Sequence, residues 1–488
     1  MVAPRPLKQP PRPQLSSRIA IHTQRLDHSL QEEITMPIRS LFLVLIALTM
    51  PSVQAMAQEA KRLTRVFFQD EDTKTVRWAD LMSGQPLKLS TPQVVKGFPS
   101  LDPMKQTLVQ MEMAQGYILI GVRDEQDGKF QSGWVLIDCG VETESHGDHL
   151  DWVYARDPQV RAVQLDDQQG NPAHLYVYDD VFYVANDRKN GFTRLAPSEL
   201  KTTDGESAIR AKASFHSGGG GHITLAVAER VAYSSWIDRD GPNKGRVDLT
   251  PVSASGAQQP AASIFLSSGG IHGATACAGK VFFAPTAGIN WVVADGMIPV
   301  DPKSISIQHI DLGQLGDRPR RTGAFTTMGN RVAFLSGIGK DSELGIIQAD
   351  KTPPALTRLT VPVNEGAKAS GLELIKPRRG NPVAILFEEI ESDGPSKCQL
   401  KLIELDPNGN AEWEDMRVGP SISVGKAKIE GHGGHHGFAV DSDRFRGVLT
   451  NPGDGTIQVF SLDSRRIENT FEVGGAPSKI IARGGPVH

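Results

Sequence analysis

The sequence predicts an all-β chain closed as a β-propeller, with eight blades preferred to seven. Three observations carry that expectation. From Lys61 onward there is almost no sustained helical apolar pattern, while short runs of β-forming residues alternate with Gly, Asp, Asn and Pro. The runs come in sets of three, spaced at about 45–60 residues, which is the period of propeller blades. The two ends of the mature chain carry incomplete sets that complement each other.

Taken in order, LTRVFF and TVRWADL lack a first strand. Full sets follow at Gln110 (QMEMA, YILIGV, GWVLID), His174 (HLYVY, VFYVAND, GFTRLA) and His222 (HITLAV, VAYSSWI, RVDLTPV). Others begin at Ala274 (ATACA, KVFFAPTA, INWVVAD), Ala324 (AFTTM, RVAFLSG, LGIIQAD) and Gly371 (GLELI, PVAILFEE, CQLKLIELD). The set from Gly437 to Ser464 contains NPGDG, whose composition suits a hairpin turn. The lone strand SKIIARGG at the C-terminus is expected to pair with the N-terminal piece, completing an eighth blade and removing the edges of an open array. A right-handed β-helix would need a shorter period than this chain shows.

Upstream, residues 36–57 read as a secretory signal peptide: Arg39, the apolar run LFLVLIALTM, then Ala55-Met56-Ala57. Residues 1–35 are rich in Pro, Arg and Gln and precede a Met that would itself open a signal sequence, so they are expected to be a non-native extension. The propeller would then occupy residues 61–488 as a single domain, periplasmic or secreted and monomeric. The apolar run is short for a membrane span, and no later segment approaches the roughly 20 apolar residues a spanning helix needs.

Charge is nearly balanced, with 52 Lys and Arg against 56 Asp and Glu and a formal net of -4, which argues against a nucleic-acid surface. The three cysteines, Cys139, Cys277 and Cys398, form neither C-x-x-C nor C-x-x-C-H. Any bound metal must therefore be held by His with Asp or Glu.

Histidine supplies the strongest chemical pattern. It occurs in HGDH (His146, His149), PAH (His174), GGGGH (His222), GGIH (His272) and GHGGHH (His432, His435, His436). Most of these stretches lie at or just before the first strand of a set. First strands line the central channel of a propeller, so these side chains are expected to converge on one axis. His146 and His149, three apart in a turn, could face one point, with Asp148 and Asp151 as ligands or as acceptors that orient the rings. His435 and His436 are adjacent, so only one is expected to look inward. His216 and His432 are separated from their strands by glycines and read as loop residues. Neutral imidazole suits zinc, and also copper or nickel.

Together, VLIDCGVETESHGDHLD, NPAHLYVYDDVFYVANDRKNG, GGIHGATACAGKVFFAPTAG and GGHHGFAV resemble the periplasmic zinc metallochaperones of the AztD type, β-propeller partners of ABC-type zinc importers. The resemblance spans most of the mature chain in blade order. It implies zinc as cofactor or cargo, delivery to a periplasmic zinc solute-binding protein, and no enzymatic activity. Carried over by motif, the implied ligands are His146, His149, His174, His272, His435 and His436, to which the position of His222 adds a seventh. Two family features are missing: QEAKRLTRVFF lacks the His-rich stretch near the mature N-terminus, and Cys277 lacks a nearby partner. Two other classes stay open. One is a metal-dependent hydrolase or lactonase using Glu388, Glu389, Asp148 and Asp151; the other is an interaction scaffold whose histidines merely fill the channel.

Overall fold

A computed structural model describes residues 60–486 apart from 148–149, 253–255, 298–300, 391–397 and 431–432. The signal-peptide segment 36–57, the extension 1–35 and His149 lie outside the described residues. Eight antiparallel sheets follow one another along the chain, seven of four strands and one of four with a short accessory strand. The chain is an eight-bladed β-propeller.

Ring closure takes the expected form. Pro477–Arg483 is the inner strand of blade 1 and pairs with Arg62–Asp70, which in turn pairs with Thr75–Met82. The Asp70 carboxylate accepts the Ala476 amide at 3.0 Å, fixing the start of the closing strand. Elsewhere each blade runs outward from its first strand, and the first strands of neighbouring blades pack around the axis. In blades 2 to 5 the first strand reverses through two residues of positive φ, namely Gln115-Gly116, Asp179-Asp180, Glu229-Arg230 and Ala278-Gly279. Such turns match the twist of the strands they join.

The second and third strands are buried on both faces, because each sheet is covered by a neighbour on either side. Ser132–Asp138, for example, is buried at every residue. The core is therefore a set of wedges between blades. Phe67, Val76 and Trp78 of blade 1 pack on Leu108, Ile118 and Ile120 of blade 2, and Phe334 of blade 6 on Phe282 and Trp291 of blade 5. Each blade lacks a core of its own and depends on both neighbours.

Alternating strand direction gives the ring two ends. The connections that lead into the inner strands all lie at one end, here the front; the third-to-fourth strand connections lie at the back. Among the described residues no helix is long and apolar enough to cross a membrane. All three cysteines are free and buried.

Candidate metal centre at the front of the channel

Three successive blades each send a histidine to the front. His174 is the third residue of the inner strand Pro172–Tyr178 of blade 3. His222 lies just before the inner strand Leu225–Ala228 of blade 4, and His272 just before Ala274–Cys277 of blade 5. The His174 and His222 ring centroids are 4.6 Å apart, His222 and His272 5.0 Å, and His174 and His272 6.1 Å. Glycine allows this approach: Gly220 and Gly221 precede His222, and a Cβ at Gly220 would stand 2.4 Å from the Trp236 ring.

The outer nitrogens of two rings are held from behind. His222 Nδ1 lies 3.2 Å from Oδ2 of the buried Asp187, whose Oδ1 accepts the Ile223 amide at 3.0 Å. His272 Nδ1 donates to the Gly323 carbonyl at 3.2 Å. A carbonyl can only accept, so neutral His272 carries its lone pair on Nε2. Burial, aided by the nearby His222, holds the His272 pKa below the ordinary value, favouring that neutral form. The same pattern of one nitrogen tied back and one presented orients metal-binding histidines generally.

His174 Nε2 and His222 Nε2 stand 2.9 Å apart, a hydrogen-bond distance. Tetrahedral zinc with bonds of about 2.0–2.1 Å would hold two such nitrogens about 3.3 Å apart, so ligation requires the rings to part by a few tenths of an ångström. In keeping with this, no group of three or more His, Cys, Asp or Glu is already set at ligand geometry among the described residues. The donors suit zinc chemically but need this small adjustment to hold it.

The other described histidines of these motifs are placed apart from this cluster, while His149 and His432 lie outside the described residues. His435 is held at blades 7 and 8, its Nδ1 2.7 Å from Glu389 Oε2, and shares no described ring contact with the three. His436 is 3% exposed, stacks on Phe387, and donates from Nδ1 to the Thr450 carbonyl, while its buried Nε2 has no hydrogen-bond partner among the described residues. His146 sits on the hairpin Glu142–Ser145 and Leu150–Val153, 3.2 Å from Asp151. That hairpin joins the third and fourth strands of blade 2 and so belongs to the back of the ring, where Trp152 stacks under Arg483. One axis is therefore not shared by all the expected ligands. His216, read as a loop residue, is instead a fully buried ring stacked on Phe192.

No family model and no curated protein sequence matches this chain. Solved structures do. Apo AztD from Citrobacter koseri superposes with a TM-score of 0.58 at 16% identity, covering 87% of this chain and 98% of that one. Its fold is similar to that of AztD. A second AztD structure from Citrobacter koseri gives 0.57 at 17% identity with the same coverage. The likeness to AztD extends over nearly all of the described propeller, and at this identity it is a likeness of fold.

Of the acids named for a hydrolytic site, Asp148 lies outside the described residues and the two glutamates are engaged otherwise. Glu388 is buried against Lys401 at 2.8 Å, and Glu389 is bonded to His435 and Ser370. Asp187 was missed by sequence reasoning. It stands at the end of VFYVAND, where an acid after a strand looks like any turn residue, and only the folded neighbour reveals its role.

Proposed function

We propose that this chain is an exported zinc-binding propeller that holds the ion through His174, His222 and His272 and passes it to a periplasmic zinc solute-binding protein. The observation that carries this reading is the meeting of three imidazoles from successive blades, two with their outer nitrogens tied to Asp187 and Gly323. The AztD-like fold and the signal-peptide pattern at 36–57 support the compartment and the role.

Three neutral imidazoles supply three of the about four ligands zinc takes, leaving a position that a ligand of an acceptor protein can enter. A cargo site benefits from such an opening, because the incoming ligand can bind before the outgoing ones leave. Asp187 and the Gly323 carbonyl keep two rings aimed while the third moves.

Titration of chelator-treated mature protein with zinc tests the reading. One equivalent bound more tightly than micromolar, with a large loss in His222→Ala and His272→Ala, is expected. Free zinc at about 100 times the dissociation constant should also add roughly 2.7 kcal/mol of stability. Binding weaker than micromolar, or a melting temperature indifferent to zinc, overturns it. Transfer is read separately, by mixing the loaded protein with a zinc solute-binding protein and following the metal.

A further inference from the structure

Two arginines, the partly buried Arg321 and the exposed Arg239, approach the backbone just before His272, and neither has a carboxylate partner among the described residues. Arg321 lies in the segment between blades 5 and 6, two residues before Gly323, whose carbonyl holds His272. It is partly buried, and its Nη2 donates to the Gly270 carbonyl at 3.4 Å. Arg239 comes from the loop between the second and third strands of blade 4. Its Cγ lies 3.9 Å from where a Cβ on Gly270 would stand, so both side chains meet the backbone just before His272.

The charges are not balanced locally. Neither arginine forms an ion pair among the described residues, and burial together with the charge of Arg239 disfavours the Arg321 cation. The carboxylate next to Arg239, Asp238, is turned into its own loop, accepting the Gly241 amide at 2.7 Å and the Asn243 amide at 2.9 Å. Asp187 faces His222 and Arg123. Two unpaired cations beside a site for a dication raise its energy by direct repulsion unless an anion stands between them.

We propose that Arg239 and Arg321 form an oxyanion subsite beside His272, which takes a carboxylate or small oxyanion that also fills the open position on the metal. The inference rests on the zinc reading for the second half of that statement. Guanidinium groups are the usual partners of carboxylates, through paired N–H donors. A carboxylate bridging metal and arginine would couple anion and zinc binding, so each strengthens the other.

The test uses the mature protein, its Arg321→Gln and Arg239→Gln/Arg321→Gln variants, and a chelating dye to read zinc affinity. In a buffer without coordinating anions the variants should bind zinc several-fold more tightly than the parent, because positive charge beside the dication has been removed. Adding 20 mM acetate (roughly a saturating level for a weak carboxylate site) should tighten zinc binding by the parent about tenfold and leave the double variant unmoved. A purely structural role for the arginines predicts the opposite, with weaker zinc binding by the variants in both buffers, and overturns the proposal. Equal acetate responses in parent and variant do so as well.

Source and dependence are separated by further arms. Bicarbonate and a short glutamate-containing peptide replace acetate in turn; tightening by either supports the subsite and names its source, and tightening by none of the three overturns it. Should the parent bind no zinc, the metal reading fails by itself. The subsite is then read in metal-free protein as a rise in melting temperature with acetate that the double variant lacks, and no such rise overturns it.

Discussion

Asp187 and Glu389 stand four blades apart and grip the following blade in the same way. Asp187 bonds His222 Nδ1 and the Ile223 amide; Glu389 bonds His435 Nδ1 and the His436 amide, at 2.7 and 2.8 Å. In each case a buried carboxylate at the end of a second strand captures a histidine and the next backbone N–H just before an inner strand. The device both joins two blades and aims an imidazole. Among the described residues, ring contacts with the aimed imidazole are made at His222, by His174 and His272, and none at His435.

Replacing Asp187 with Asn tests the aiming role. The amide can still accept from the Ile223 amide, so the fold is retained, but the ring loses the negative charge that fixes Nδ1–H and raises the basicity of Nε2. Zinc affinity should fall about 10–100-fold, the usual cost of losing such a partner. Competition with a chelating dye measures it; an unchanged affinity would show that His222 is not a ligand.

At Glu389 the consequence is stability with a defined pH dependence. Burial opposes its ionisation, yet the bonds from His435, Ser370 and the His436 amide outweigh this and hold the carboxyl below its usual range. A depressed carboxyl stabilises the fold above its unfolded pKa, and that contribution is lost as pH falls through the folded value. Glu389→Gln should therefore cost about 1–3 kcal/mol near pH 7. The gap from the parent should close below about pH 4, near the unfolded carboxyl value. Urea unfolding at both pH values reads the difference, and a gap that does not depend on pH would rule out this assignment.

Much of this architecture was legible in the sequence, and the exceptions have physical causes. The second and third strands of each blade are largely apolar because neighbouring blades cover them, and so the sets stood out. The outer strands are short or polar, as in Ser214–Ser217 and the largely exposed Gln308–Ile310, so they left little pattern. His174, His222 and His272 were visible from their glycine-flanked positions near inner strands. HGDH carried the more convincing ligand spacing, yet spacing says nothing about which end of the ring a hairpin leaves from. Arg239 and Arg321 lie in separate connections and share no motif, so only folding brings both to the backbone at Gly270.

His216 offers an acid-sensitivity prediction unrelated to metal. Burial against Phe192 pushes its pKa down from 6.5 to about 4, and its Nε2 is 3.0 Å from the Ser214 hydroxyl. The unfolded chain thus takes up a proton that the folded chain refuses. Stability from this group is complete above pH 6.5 and declines as pH falls toward 4. The full swing is on the order of 3 kcal/mol. His216→Asn should lower stability at neutral pH through lost packing but flatten the decline across that window, as followed by melting temperature against pH. A parallel decline in both proteins would mean other groups drive it.

The last prediction concerns ring closure. The strand Pro477–Arg483 covers the edge of Arg62–Asp70 and contributes Ile480 and Ala482 to the wedge with Val66, Phe68 and Val448. Removing residues 477–488 would expose that edge and open the cluster at once. Because every blade relies on two neighbours, the damage should not remain local. The truncated chain is expected to lose stability comparable with that of a whole domain, about 5–15 kcal/mol. It should also associate through the free edge. Size-exclusion chromatography and thermal unfolding would register aggregation and the loss of a cooperative transition. A truncated chain that stays monomeric and melts like the parent would mean that the terminal strand is dispensable to the ring, and that the seven remaining blades, with what is left of the first, close without it.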